Sequence, residues 1–503
     1  MDRPKQLDLA MSVAVAAAIA ALVAMSFWTR WSMLTGSPFP VGIDGYFYPI
    51  QLRSPLDHGT LAYPASPLAF WLMAPLAAIT DPMTGAKLGA ALFGALIAVP
   101  AYGVGARLGK SRGAGLIAAA LATTSAGSAF LTIEFVKNGI GLTVGLTALW
   151  LVLRALETRK RLRIFLAIAA VTAAFLTHKM AAGLVLLIAI PAAIAEAANV
   201  GELRGRRLLY LIGALGGIAV LVAILGVAFP ERFLSPDDLT LVRALWAEPR
   251  WELPALATPR AVLPMGYEAL IGAMLGVLAA ISLVIGPRIR TPGERIASWV
   301  IVGLALLIAL PWLSVGNPQG LGFRIRIVAF LPMALCAAIV AREVLRIPLP
   351  PWQRDAGLAI LALVIVLAMP RDRTQGRILA HPAMVAAVEG LTGRIPEGGI
   401  AIVPERHIAF MVTWYTGVPN RQRPEGVPRD KRWRVMPLAF IGAGSLLDEA
   451  LMAARHQPGV VPPIGTHPRH PNGLVLVAEP TWDWILTQLP PEARAYFERW
   501  PTI

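Results

Sequence analysis

A polytopic α-helical membrane protein with about 11 transmembrane helices and a small C-terminal α/β domain is the fold class this sequence predicts. Three observations predict it. The first is composition: 56% of the 503 residues are hydrophobic and only 15% charged, with a positive mean hydropathy and apolar runs such as 9–27 and 207–228 that are long enough to span a bilayer. The second is the way basic residues sort between the short loops. The third is a loss of hydropathy after Pro370 that is never recovered.

The spanning segments predicted are 8–28, 87–106, 114–131, 139–153, 164–176, 181–198, 208–229, 266–286, 296–313, 326–341 and 357–370. The first is longer than a signal-peptide core and has no small-residue cleavage site behind it, so it is read as a retained first helix. With the N-terminus cytoplasmic, the inside segments 1–7, 107–113, 154–163, 199–207, 287–295 and 342–355 hold 19 Lys/Arg in 56 residues. The outside segments 29–86, 132–138, 177–180, 230–265 and 314–325 hold 9 in 117. That asymmetry is what the positive-inside rule requires. The net charge of +15 therefore orients the protein and meets anionic membrane lipid, and nucleic acid is not an expected partner. The run 68–79, interrupted by Pro75, is too short to span: 12 residues of helix cover about 18 Å against a hydrocarbon core of about 30 Å. It reads as a juxtamembrane or re-entrant helix. Cys336 is the only cysteine, which excludes intrachain disulfides and multi-thiolate metal sites. High Ala, Gly, Arg and Pro with little Lys suggests a bacterial, GC-rich source.

Two domains follow: a membrane module over 1–370, carrying the outer loop 29–86, and a C-terminal α/β domain over 371–503 on the periplasmic side. The tail has strand-like runs at 399–403, 436–441 and 473–478 and an amphipathic helix at 446–455. Its basic run Arg421, Arg423, Arg429, Lys431, Arg432 and Arg434 reads as a solvated loop, the alternative being a face for anionic lipid or the donor phosphate. The His467/His470 pair lacks a third ligand and is a poor metal site.

The first outer loop carries Gly42-Ile43-Asp44-Gly45-Tyr46-Phe47-Tyr48-Pro49, then Arg53, Asp57-His58-Gly59 and Tyr63-Pro64-Ala65-Ser66-Pro67-Leu68. Here the chain resembles the GT-C superfamily of polyprenyl-phosphate-sugar glycosyltransferases, which includes oligosaccharyltransferase catalytic subunits, protein O-mannosyltransferases and lipid A aminoarabinose transferases. The resemblance covers about residues 8–345. It implies that Asp44 stands in place of the family's essential acid, with Tyr46, Asp57 and His58 beside it. It also implies a polyprenyl-phosphate-sugar lipid as donor and a glycan, lipid or protein as acceptor. Chemistry supports Asp44 independently. An acceptor hydroxyl or amide needs a base to begin removing its proton, while a polyprenyl-phosphate leaving group needs no acid, so one carboxylate suffices for an inverting displacement. The competing reading is that Asp44 merely caps the helix that follows.

Glu134, Lys137 and Asn138 lie between two apolar runs on the outer side, as does the tight turn at His178 and Lys179. Ionisable residues at membrane depth are expensive and often functional, although polar groups at a span end also serve as interface anchors. The resemblance places a second acid, for acceptor or metal, near Glu134 and a histidine near His178. Gly316–Arg326 is a glycine-rich outer loop running into a helix with two arginines. Guanidinium binds phosphate bidentately, and the resemblance puts an arginine here on the lipid phosphate, a place that Arg324 fits best. Arg326 is the second candidate for the donor phosphate; it lies about 200° from Arg324 round a helix, so both reach the phosphate only if this stretch is not yet helical. No cofactor is assigned. A divalent metal is compatible with the resemblance, but the adjacent Asp237 and Asp238 fit a solvated turn equally well. Trp414-Tyr415-Thr416-Gly417 lacks the central Asp of the oligosaccharyltransferase signature, which argues against N-glycosylation of sequons. A transporter or flippase of a lipid-linked glycan is the alternative function, disfavoured because no internal repeat is visible.

Overall fold

The computed structural model describes residues 3–199, 223–229, 263–286, 291–310, 320–344, 349–368, 380–437, 445–465 and 473–498, with single residues at 217, 220, 242, 245 and 441. The predicted span 208–229 lies mostly outside this set, as do Asp237, Asp238, His467 and His470. The chain forms two compact units, Met1–Gly36 with Tyr63–Gln375, and Ser37–Ala62 with Gly376–Ile503.

The first unit is helical. Its elements are α1 (Arg3–Thr35), α3 (Leu68–Ile79), α4 (Pro82–Leu96), α5 (Ala98–Gly109), α6 (Arg112–Thr124), α7 (Ala126–Glu134), α8 (Val136–Thr158), α9 (Arg161–Thr177), α10 (Lys179–Asn199), α11 (Leu263–Ile285), α12 (Pro292–Ala309), α13 (Leu321–Ile327), α14 (Phe330–Val344) and α15 (Pro351–Ala368). Among the described residues, seven stretches are long and apolar enough to cross a membrane: Leu9–Thr35, Pro82–Gly109, Val136–Thr158, Lys179–Asn199, Leu263–Ile285, Pro292–Ala309 and Leu321–Glu343. The pair α6 and α7, bent by 45° at Ser125, makes an eighth if counted as one span. Large apolar side chains stand exposed along α9 (Leu162, Phe165, Ile168), α11 (Met274, Val284) and α15 (Ile360, Leu363). Such surface is untenable in water and suited to lipid. The interior is packed on alanine and glycine, which lets helix backbones approach closely where burial from lipid offers no hydrophobic gain. α3, at 12 residues, is shorter than a span and packs Met73 and Ala77 towards α4.

Start signals are legible locally. Asp81 accepts from the Met83 and Thr84 amides, with Pro82 at the first helical position of α4. Thr291 and Glu294 form a reciprocal capping box at the start of α12. Glu294 is also the centre of an ionic cluster, 2.9 Å from Arg107 and 2.5 Å from Lys110, with Arg107 3.0 Å from Glu157. This ties the loops after α5 and α8 to the start of α12, on the side where the sequence gathers its basic residues.

The α6–α7 break is the most polar part of the bundle interior. Ser125 caps α7. The Glu268 carboxylate of α11 accepts from the Ala126 and Gly127 amides, where a helix start favours an anion. The Arg30 guanidinium of α1, buried, donates to Ser128 Oγ at 2.7 Å, the Thr123 carbonyl at 3.0 Å and Thr132 Oγ1 at 3.1 Å, and also to Ser26. A buried charge is tolerable only when its donors are satisfied in this way.

The second unit contains α2 (Phe47–His58), α16 (Pro382–Glu389), β1 (Ile400–Ile402), α17 (Arg406–Thr416), β2 (Asn420–Arg421), β3 (Arg432–Pro437), α18 (Leu446–Ala454), β4 (Ile464–Gly465), β5 (Leu474–Ala478), α19 (Glu479–Gln488) and α20 (Pro491–Glu498). The strands form one mixed sheet in the order β2-β1-β3-β5-β4, parallel at β1–β2 and β1–β3 and antiparallel at β3–β5 and β4–β5. Met436, Val475, Val477, Leu447, Leu451, Trp482 and Ile485 make the core on one face. The basic run differs from expectation. Arg432 and Arg434 are not in a solvated loop but in β3, where Arg434 grips Glu479 with two bonds of 2.8 and 3.1 Å. The predicted strand at 436–441 begins earlier, at Arg432, because the paired carboxylate makes a charged strand position tolerable.

Candidate active site

Asp44 belongs to a tight turn built by glycine. Gly42 has φ +86°, a conformation other residues adopt only with strain, and the Gly45 amide closes the turn on the Gly42 carbonyl at 3.1 Å. The capping alternative for Asp44 is not what forms. The residue at the cap position of α2 is Tyr46, and no side-chain cap bond is made there. The Asp44 carboxylate instead meets the Arg406 guanidinium at 2.7 Å. Its side chain keeps 15% of its exposure, so it is sheltered yet reachable.

The rest of this group comes from α2 and α17. The Tyr46 and Tyr415 hydroxyls are 3.0 Å apart, with their rings edge-on at 5.6 Å. Burial, reinforced by that hydrogen bond, pushes the Tyr46 phenol above its ordinary pKa, so it is a neutral hydroxyl at any physiological pH. Phe47 packs on Phe410 at 5.3 Å, and the Arg53 guanidinium lies over the Trp414 ring at 4.3 Å. Asp57 and His58 are not brought into this group: they sit exposed at the far end of α2, a helix of 12 residues.

The second group lies in the helical unit. α9 and α10 are separated by the single residue His178, which has extended backbone and is buried. Burial holds its imidazole well below the ordinary pKa, and Lys137, Arg324 and Lys179 depress it further. These four residues, from the start of α8, the α9–α10 turn, the start of α10 and α13, therefore share one neighbourhood. The Arg324 guanidinium also stands 5.7 Å from the Phe135 ring, which packs on Phe130, itself against Phe323. Glu134 is the half-buried last residue of α7, directly before Phe135. α13 is helical through both arginines, so they diverge: Arg324 is half-buried in the cationic group, whereas Arg326 is 1% exposed and points elsewhere into the protein. Among the described residues, no group of three or more His, Cys, Asp or Glu could hold a metal ion.

Arg406, Arg30 and Glu268 are residues that the sequence reading missed. A lone charge inside an apolar span is a signal that could have found Arg30 and Glu268. Arg406 heads an aromatic series at Phe410 and Trp414, one helical face.

Over most of both chains the structure superposes on ArnT from Cupriavidus metallidurans. The form bound to undecaprenyl phosphate gives a TM-score of 0.51 at 15% identity, over 92% of this chain and 98% of that one. The apo form gives 0.52 at 13% identity, over 95% and 100%. The sequence itself matches the family model for dolichyl-phosphate-mannose-protein mannosyltransferase over residues 63–226, about a third of the chain. Sequence match and shared fold agree on the GT-C superfamily. No curated protein matches significantly.

Proposed function

We propose that this protein moves a hexosyl or pentosyl unit, with inversion, from a polyprenyl-phosphate-linked donor to a glycan, lipid or protein acceptor at the periplasmic face of a bacterial inner membrane. Eleven spans, a cytoplasmic N-terminus and a periplasmic C-terminal unit are part of this reading. The observation that carries it is the gathering of Lys137, Lys179 and Arg324 round buried His178. Such a set attracts an anion, and a phosphate joined to a lipid is the anion that reaches this depth. The undecaprenyl phosphate bound by ArnT has this chemistry.

In the displacement, the acceptor oxygen forms a bond to the sugar's anomeric carbon as the bond from that carbon to the phosphate oxygen breaks. The electron pair leaves with the phosphate, whose charge Arg324, Lys137 and Lys179 stabilise. The acceptor proton passes to Asp44. His178, held neutral, contributes hydrogen bonding rather than charge. Glu134 lines the acceptor side.

The test is sugar transfer by purified full-length protein, using undecaprenyl-phosphate donors that carry mannose or aminoarabinose. Asp44→Asn serves as the matched variant, with an expected loss of about 10²–10⁴-fold and donor binding retained. Wild-type turnover in Asp44→Asn would remove Asp44 from the reaction.

A further inference from the structure

The turn that carries Asp44 is tied by backbone bonds, from the Gly45 amide to the Gly42 carbonyl at 3.1 Å and from the amide of Phe47, the first residue of α2, to the Asp44 carbonyl at 3.0 Å. Tyr46, at the cap position of α2, makes no side-chain cap bond. What holds the side chains is α17. Arg406 takes the Asp44 carboxylate at 2.7 Å, Phe410 takes Phe47 at 5.3 Å, and Trp414 lies under Arg53 at 4.3 Å. Tyr415 takes the Tyr46 hydroxyl at 3.0 Å. Arg406, Phe410 and Trp414 follow one another at i, i+4 and i+8, which keeps them within about 80° of one helix face. Their partners at 44, 47 and 53 follow in the same order. A single face of α17 thus fastens the turn and α2 along their length. Both segments lie in the same compact unit although more than 340 residues separate them in sequence.

Arg406 stands out within this arrangement. The other contacts join aromatic rings or place a cation on a ring, and fix where α2 lies. The Arg406 contact fixes the carboxylate itself. Arg406 is 37% exposed and also stacks 5.7 Å over Phe410, so its guanidinium is oriented by a ring that α17 positions. An ion pair that is open to solvent on the arginine side contributes little to stability, on the order of 1 kcal/mol, so folding alone does not account for so specific a placement. Orientation of a reacting group does: a displacement of 1 Å at the reacting centre lowers rates on the order of 10²-fold.

We propose that Arg406 is a positioning residue for Asp44, so that the C-terminal unit is part of the catalytic machinery and not an appended module. The inference rests on Asp44 being the base of the proposed reaction. Arg406 touches neither donor nor acceptor; it acts through the carboxylate. Removing it should therefore lower kcat and leave the donor KM nearly unchanged.

The experiment compares wild type, Arg406→Gln, Arg406→Lys, Asp44→Asn and the double variant Asp44→Asn/Arg406→Gln. All are full-length proteins, assayed with undecaprenyl-phosphate-linked mannose and aminoarabinose, with thermal unfolding recorded on the same samples. Expected are a kcat loss on the order of 10- to 10²-fold in Arg406→Gln, a donor KM within about twofold, and partial recovery in Arg406→Lys. The double variant should be no slower than Asp44→Asn alone, because residues that act as a unit are not additive. Arg406→Gln with wild-type kcat, or a double variant whose loss is the product of the single losses, overturns the inference while Asp44 remains the base. Should Arg406→Gln misfold, a folded Arg406→Lys carries the test: a lowered kcat with donor KM unchanged supports positioning by the guanidinium, and a wild-type kcat, with or without a raised KM, overturns it. An active Asp44→Asn overturns the proposed reaction and this inference together.

Discussion

Two residues show how placement changes what a side chain does. Arg324 and Arg326 are the same chemistry two positions apart, and helical geometry sends one into the cationic group at His178 and buries the other. Arg324→Ala is expected to weaken donor binding by about 1.5–3 kcal/mol, the range for a hydrogen bond to a charged group. Arg324→Lys should be impaired less, because charge survives while the forked geometry is lost. Arg326→Ala should act on unfolding temperature and leave donor affinity alone. Titration with undecaprenyl phosphate separates these outcomes, and equal affinity in wild type and Arg324→Ala would reduce Arg324 to a headgroup anchor. His178 supplies a pH prediction. Its folded pKa lies well below the ordinary value of about 6.5 through burial. Below about pH 6.5 the unfolded chain therefore takes up a proton that the folded protein refuses, and stability falls as pH falls, by up to about 1.4 kcal/mol per pH unit. His178→Gln should flatten the decline in unfolding temperature between pH 7.5 and 5.5; an unchanged decline would show that another group titrates.

At the scale of elements, the α6–α7 break was readable only as a single run of apolar residues. The bend needs Ser125, Arg30 and Glu268 to satisfy the groups it opens, and these come from the break itself and from two other helices, α1 and α11. It also needs Gly127, where an added Cβ would come within 2.2 Å of the Ile327 carbonyl and 2.9 Å of Phe330. Gly127→Ala is expected to lower stability by about 1–3 kcal/mol through overpacking against backbone. Gly183 in α10 has nothing within 4 Å of such a Cβ, so Gly183→Ala should be neutral or gain up to about 1 kcal/mol of helix propensity. Thermal unfolding of the two variants in the same detergent decides this; equal behaviour would mean that α7 and α13 move apart without penalty. The short apolar helix α3 shows the opposite case, in which length and internal proline were enough to separate it from the spans.

For the whole molecule, the sorting of basic residues between loops predicts an orientation in the membrane that is testable without activity. Single cysteines at Lys160 and Asp57, placed in a Cys336→Ala background, should label with impermeant maleimide only after permeabilisation at the first position and directly at the second. Both positions are exposed, so failure to label reflects the side of the membrane and not burial. Labelling of the 160 position in intact cells would invert the topology. The same ordering of charge appears in the structure at the Glu294 cluster, where Arg107 and Lys110 converge from a loop assigned to the inside.

Composition and charge pattern were sufficient for a membrane helical chain with an α/β tail, because hydropathy and turn chemistry are local properties. Family resemblance was legible in the topology together with one short motif around Asp44, for the same reason. Which charged residues meet was not. Lys137, His178, Lys179 and Arg324 converge because the start of α8, the α9–α10 break and α13 do, and Asp44 finds Arg406 across more than 340 residues. The basic run that looked solvated holds a buried Arg434–Glu479 pair because β3 and α19 close on it. In each case the partner is chosen by packing between distant elements, and a one-dimensional pattern carries the cost of burying a charge but not the identity of the group that offsets it.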